Sequence, residues 1–184
     1  MKKVIGITGS IGSGKSYTRN QFKEIAKEKK IKARFIDVDE VRRKLLKDEK
    51  IDTIQLNQII YHNEEEMKRY KQYINPKIKD YLKEQIDQNN GIIFIEWALL
   101  IEDELFDIVD SIIMIDCKPS IQMKRLERGE LKKEEIIKRM NLQFSNKQKI
   151  EKIRKLRKEF FVLDTSDNPK KEKYEELLRK EGII

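Results

Sequence analysis

Gly9-Ser10-Ile11-Gly12-Ser13-Gly14-Lys15-Ser16 (GSIGSGKS) decides how this chain is read, because of what stands on either side of it. Before it, Lys3 to Thr8 (KVIGIT) is a short β-rich run; after it, Ser16 to Lys29 carries Phe22, Ile25 and Ala26 on a helical period. A strand that passes through a glycine-rich turn into a helix is the setting in which G-x-x-x-x-G-K-[ST] works as an anion cradle. Glycines at positions 9, 12 and 14 let backbone N–H groups turn inward, and the positive end of the following helix is aimed at the same spot. Lys15 is placed to reach the β- and γ-phosphates of a nucleoside triphosphate, and the Ser16 hydroxyl to ligate Mg²⁺. The nucleotide-binding set is thus Gly9, Ile11, Gly12, Ser13, Gly14, Lys15, Ser16 and Tyr17, with ATP and Mg²⁺ as the implied ligands and Ser16 as the metal ligand.

Outward from the loop the same alternation continues. Ala33 to Val38 (ARFIDV), Ile92 to Trp97 (IIFIEW), Ser111 to Cys117 (SIIMIDC) and Phe160 to Leu163 (FFVL) read as further strands. Helical periodicity occupies about Glu40 to Lys47, all of Lys50 to Gln88, Pro119 to Lys158, and about Lys170 to Lys180, with Pro76 expected as a break or first-turn residue. Five short apolar strands separated by helices predict an α/β fold of three layers, a parallel sheet covered on both faces. One domain spans 1–184, with a helical insertion at about 48–88 and a second helical appendage at about 119–150.

Composition narrows the setting. The 184 residues carry a formal charge of +8 and 40% charged residues, which favours polyanionic partners without choosing between nucleic acid, acidic membrane and nucleotide phosphates. A single cysteine, Cys117, allows no intrachain disulfide, and no apolar run approaches the roughly 20 residues that span a bilayer. A cytoplasmic protein, with no membrane partner, is expected.

Asp37 and Asp39 fall at the carboxyl end of the second strand, the edge where open α/β sheets bind ligands. Period two puts them on one strand face, one to orient an acceptor hydroxyl and one to assist the metal shell; the alternative for either is capping the next helix. Glu96, at the end of a strand, is placed to meet a metal through water, Trp97 reads as core, and His62 as a surface residue. Arg125, Arg128 and Arg139 lie on helices able to close over a triphosphate. The lysines from Lys147 to Lys158 read as a solvated face with no site.

Ile5 to Ser16, then Phe35-Ile36-Asp37-Val38-Asp39, then Ala98-Leu99-Leu100-Ile101-Glu102 resemble the dephospho-CoA kinase family, in order along nearly the whole chain. Gln122 to Leu126 with Arg128, and Arg139 to Gln143, are similar to that family's lid; Phe161 to Ser166 is similar to its adenine-side strand and loop. The resemblance implies a P-loop kinase fold in which the helical insertion binds the acceptor and the second helical appendage is a lid. It implies transfer of the γ-phosphoryl group of ATP to the ribose 3′-hydroxyl of dephospho-CoA. Asp39 would be the general base or the group that orients the acceptor hydroxyl, Lys15 and Arg139 the catalytic cations, and Thr8, Asp37, Asp39, Leu100 and Glu102 the acceptor-binding set. Asn75-Pro76 stands where the family usually shows His-Pro, Asp52-Thr53 where it commonly has an arginine, Thr165 for a frequent asparagine and Ala98 for a frequent proline. A nucleoside or nucleotide kinase on the same scaffold stays open as an alternative. So does a basic nucleic-acid-binding protein with a retained ATP loop, although no nucleic-acid motif or stacking platform occurs. Nucleic acid is therefore not the expected partner, and a monomer or weak homo-oligomer is the expected state.

Overall fold

The computed structural model describes residues 2–60, 63–129 and 133–184. His62 lies outside the described residues, as do Tyr61 and the stretch 130–132. Five strands, β1 (Lys3–Thr8), β2 (Ala33–Asp37), β3 (Ile92–Glu96), β4 (Ser111–Asp116) and β5 (Glu159–Asp164), form one sheet in the order β2-β3-β1-β4-β5. All its ladders are parallel, with Ile7 beside Glu96 and Thr8 beside Met114 at the carboxyl ends. The first strand is central, so the loop that follows it opens over the middle of the sheet.

The continuous apolar runs serve two cores at once. Val4, Ile93, Ile95, Ile112 and Met114 face one helix layer, whereas Ile5, Ile7, Phe94, Ile113 and Ile115 face the other. Strands that are apolar on both faces along most of their length are what a doubly covered sheet requires. One layer holds α1 (Lys15–Glu28) and α8 (Lys171–Lys180) through Phe22, Ile25, Tyr174 and Leu178. The other holds α2 (Val38–Asp48), α4 (Glu64–Asp87) and α7 (Asn146–Lys155) through Val41, Leu46, Ile74, Leu82 and Ile153.

The long helical stretch after α2 resolves into α3 (Thr53–Ile60) and α4, and the one after β4 into α5 (Pro119–Glu127), α6 (Lys133–Asn141) and α7. Asn63 starts α4 by accepting from the N–H groups of Glu65 and Glu66, and three glutamates fill its first turn where the helix dipole favours them. Pro76 is neither a break nor a first-turn residue: it sits inside α4. The ring removes one helical hydrogen bond. Burial of Ile74, Ile78 and Leu82 along the same helix offsets that loss and carries the helix through. Ser145 and Gln148 close a capping box at the start of α7, which fixes the turn between α6 and α7.

Candidate active site

The glycine loop takes the conformation its residues allow. Gly12 and Gly14 have φ of 77° and 98°, and a Cβ on Gly12 would come within 2.8 Å of Leu126 Cγ. The first helical bond of α1 runs from the Thr18 N–H to the Gly14 carbonyl. Lys15, Ser16 and Tyr17 therefore open the helix with N–H groups that have no helical acceptor, which makes an anion site.

Side chains from the α5–α7 segment hold the rest of the loop. Asn146 Oδ1 accepts from the Ser10 N–H at 3.0 Å and from the Ser10 hydroxyl at 2.7 Å, while its amide nitrogen donates to Asp116. Gln143 Oε1 accepts the Ile11 N–H at 3.0 Å, and Gln122 donates to the Ile11 carbonyl. Arg125 and Thr165 both donate to the Ser13 carbonyl. With those peptide groups engaged, the loop is fixed around its remaining donors. The sequence gives Asn146 no role and Gln122 only a place in the lid-like stretch, because a carboxamide carries no signal of its own until its partner is known.

A carboxylate cluster adjoins the cradle. The Ser16 hydroxyl donates to Glu96 Oε1 at 2.7 Å, and Arg19 contacts Asp37 at 2.7 Å and Glu96 at 3.1 Å. Glu96 is buried, and burial pushes its pKa up against the pull of Ser16 and Arg19. Burial also brings Lys15 down to about 8, with Glu96 the strongest opposing influence. Glu96 Oε2 accepts no aligned hydrogen bond. A hydroxyl and a buried carboxylate beside a phosphate cradle suit Mg²⁺, which takes one or two protein oxygens and fills its shell with water and phosphate.

A pocket of about 360 Å³ joins the cradle to the acceptor side. Lys15, Ser16, Asp39, Arg42, Glu96 and Arg139 surround its polar end. Asp39 is not on a strand face with Asp37, because β2 ends at Asp37 and the chain turns into α2 at once. Asp37 caps that helix, accepting from the N–H groups of Asp39 and Glu40, and does not line the pocket. The turn puts Asp39 into the first turn of α2, with its side chain 64% exposed and 3.3 Å from Arg42.

Several expected acceptor contacts lie elsewhere. Thr8 donates to the Ala98 carbonyl at 3.3 Å, and Leu100 is fully buried against Gly6, where an added Cβ would meet Leu100 Cδ2 at 2.7 Å. Glu102 takes the Lys149 ammonium at 2.5 and 2.6 Å and the Phe144 N–H at 2.9 Å. Lys149 thus corrects the view of its lysine run as a solvated face: its side chain is wholly buried, pinning α7 to the turn after β3. Tyr17 is exposed, Arg128 is exposed and away from the pocket, and Arg125 ties the loop to Thr165 and Asn168. Trp97 is both buried and part of the pocket wall.

Comparison with known proteins identifies the family. A family model described as dephospho-CoA kinase matches residues 43–158, well over half of the chain. A dephospho-CoA kinase of Listeria innocua is 28% identical over 196 residues, covering 93% of this chain and 92% of that protein. One from a strain of Bacillus cereus is 29% identical over 169 residues, covering 82% and 84%. Among solved structures, TT1252 from Thermus thermophilus superposes with a TM-score of 0.78 at 20% identity over 97% of this chain and 95% of that one. Deoxyadenosine kinase from M. mycoides superposes at 0.55 with 15% identity over 97% of each chain, a likeness of fold alone. With the family model matched over residues 43–158, the chain belongs to the dephospho-CoA kinase family.

Proposed function

We propose that the protein transfers the γ-phosphoryl group of ATP to the ribose 3′-hydroxyl of dephospho-CoA, giving coenzyme A and ADP. The observation that carries this reading is the shared pocket in which Lys15, Ser16 and Glu96 of the nucleotide side face Asp39 of the acceptor side. The N–H groups at the start of α1 and the Lys15 ammonium hold the β- and γ-phosphates. Mg²⁺, when held by Ser16 with Glu96 in its shell, supplies charge that offsets what develops on the transferred group. Asp39 accepts the proton of the acceptor hydroxyl and aligns its oxygen for in-line attack, with Arg42 beside the carboxylate. Arg139 brings a further cation to the transferred group from α6.

In this reading the stretch of about 48–88 is the acceptor-binding insertion and 119–150 the lid, within a single domain. No helix among the described residues is long and apolar enough to cross a membrane. The reading places the enzyme in the cytoplasm, acting on a small molecule as a monomer or weak homo-oligomer. It is tested by offering MgATP with dephospho-CoA, adenosine, other nucleosides, nucleoside monophosphates, or no acceptor, and comparing kcat/KM from ADP release. Preference for dephospho-CoA is expected; preference for a nucleoside or nucleotide would replace the acceptor and keep the loop.

A further inference from the structure

The wall of the pocket formed by α4 and the turn after β3 carries a group that the phosphoryl chemistry does not use. Lys71 and Asp103 both line it, with the lysine Nζ 2.9 Å from Asp103 Oδ1. Asn75, one turn on from Lys71, also lines it and, like Lys71, favours the charged form of the same carboxylate. The Asp103 side chain is only 4% exposed, yet its Oδ1 accepts no aligned hydrogen bond even with Lys71 so near. Around this cluster the wall is apolar, built of Met67, Tyr70, Ile74 and Ile78.

Burying a carboxylate is costly unless it is fully paired, and here burial raises the Asp103 pKa while Lys71 and Asn75 pull it back. A buried acceptor without an aligned donor is the kind of group a ligand completes. Two considerations decide the ligand's chemistry. Lys71 spends its charge on Asp103, so the pair is close to neutral and a phosphate brought against it would meet a carboxylate. A flat, neutral heterocycle fits better: its faces match the apolar wall, and an edge with an amino donor beside a ring-nitrogen acceptor matches a carboxylate beside an ammonium and a carboxamide.

We propose that Lys71, Asn75 and Asp103 form the base-recognition end of the acceptor pocket, with Asp103 accepting a hydrogen bond from the exocyclic amino group of the acceptor's adenine. This rests on the acceptor reading above and adds which part of the acceptor is recognised and by which residue. Asp103 is then a specificity-determining residue with no part in the transfer step.

The test compares kcat/KM of the wild-type protein for dephospho-CoA and for its deaminated counterpart, in which hypoxanthine replaces adenine. The 6-oxo group turns a lone pair toward Asp103 where the amino group offered a proton, so the deaminated acceptor is expected to be at least about 10²-fold poorer. Asp103→Asn, whose carboxamide serves either group, is expected to bring the two acceptors within about tenfold. The change should come chiefly through KM for dephospho-CoA, with KM for ATP unmoved. Equal use of both acceptors by the wild type overturns the proposal without any variant, and decides alone should Asp103→Asn fail to fold. A variant that loses both acceptors equally overturns it too, because that marks a structural pair. A wild type that phosphorylates neither, but prefers an unrelated acceptor, overturns the acceptor reading itself and the base recognition with it.

Discussion

The two sides of the pocket are built in opposite ways. In the mechanism proposed above, the phosphate side is one contiguous stretch, Gly9 to Ser16, whose backbone would do the binding and whose neighbours hold it in shape. The acceptor side is assembled from the first turn of α2, the end of β3, the turn after it and α4, and works through side chains brought together by packing. A site made of consecutive backbone groups can be read from spacing. A site made of converging side chains depends on which polar residues the fold leaves facing the pocket and which it spends on holding itself together. Glu102 and Asp103 show the difference in adjacent residues: the first is consumed by Lys149, the second stands in the pocket wall beside Lys71.

The largest effect is expected where the loop itself is broken. Lys15→Ala should lower phosphoryl transfer by roughly 10³–10⁵-fold, the scale of losing a phosphate-stabilising cation, measured as kcat/KM with any acceptor. Unchanged turnover would remove the loop from the chemistry. Asp39→Asn should lower kcat by roughly 10²–10⁴-fold while ATP affinity stays, so that one substitution strikes only the acceptor side. An effect confined to ATP binding would move Asp39 into the metal shell and blur the division.

Lys149→Met leaves Glu102 buried and unpaired, which should cost about 3–5 kcal/mol in urea unfolding, with kcat of the folded protein within about twofold. Lys149→Met with Glu102→Leu should recover most of that loss. A fall in kcat at unchanged stability would return Glu102 to the acceptor site. The smallest effect is one of pH. Burial lowers the Lys15 pKa to about 8 in the ligand-free protein, and ATP phosphates bind the protonated form. Affinity for ATP should therefore be flat below about pH 7 and weaken as pH rises through about 8, at most about tenfold per unit, in titration calorimetry. Lys15→Arg should flatten the profile, because guanidinium does not titrate there.

Much of the fold was legible because its signals are local. The expected β1 is the observed one, and the other strands differ by a residue at one or both ends, since each is a mostly apolar run stopped by a turn or a helix start. Pro76 was misread because its helix is stabilised by what it packs on, which no window around the proline contains. Asp37 and Asp39 were given one strand face because the sequence does not mark where β2 stops; a helix begins between them and turns one to capping and the other to the pocket. Lys149 looked solvated within a run of charge, and only its partner on the turn after β3 shows otherwise. The family match itself spans 43–158, so it begins beyond the loop and falls on the insertion and the α5–α7 segment, where spacing alone said least.

A single turnover of wild-type protein with MgATP and dephospho-CoA, with the new phosphate located on the product by NMR, shows which oxygen accepts the phosphoryl group. One phosphate per turnover is expected on the ribose 3′-oxygen. Phosphate at another hydroxyl, or release of free phosphate with dephospho-CoA unchanged, would contradict it.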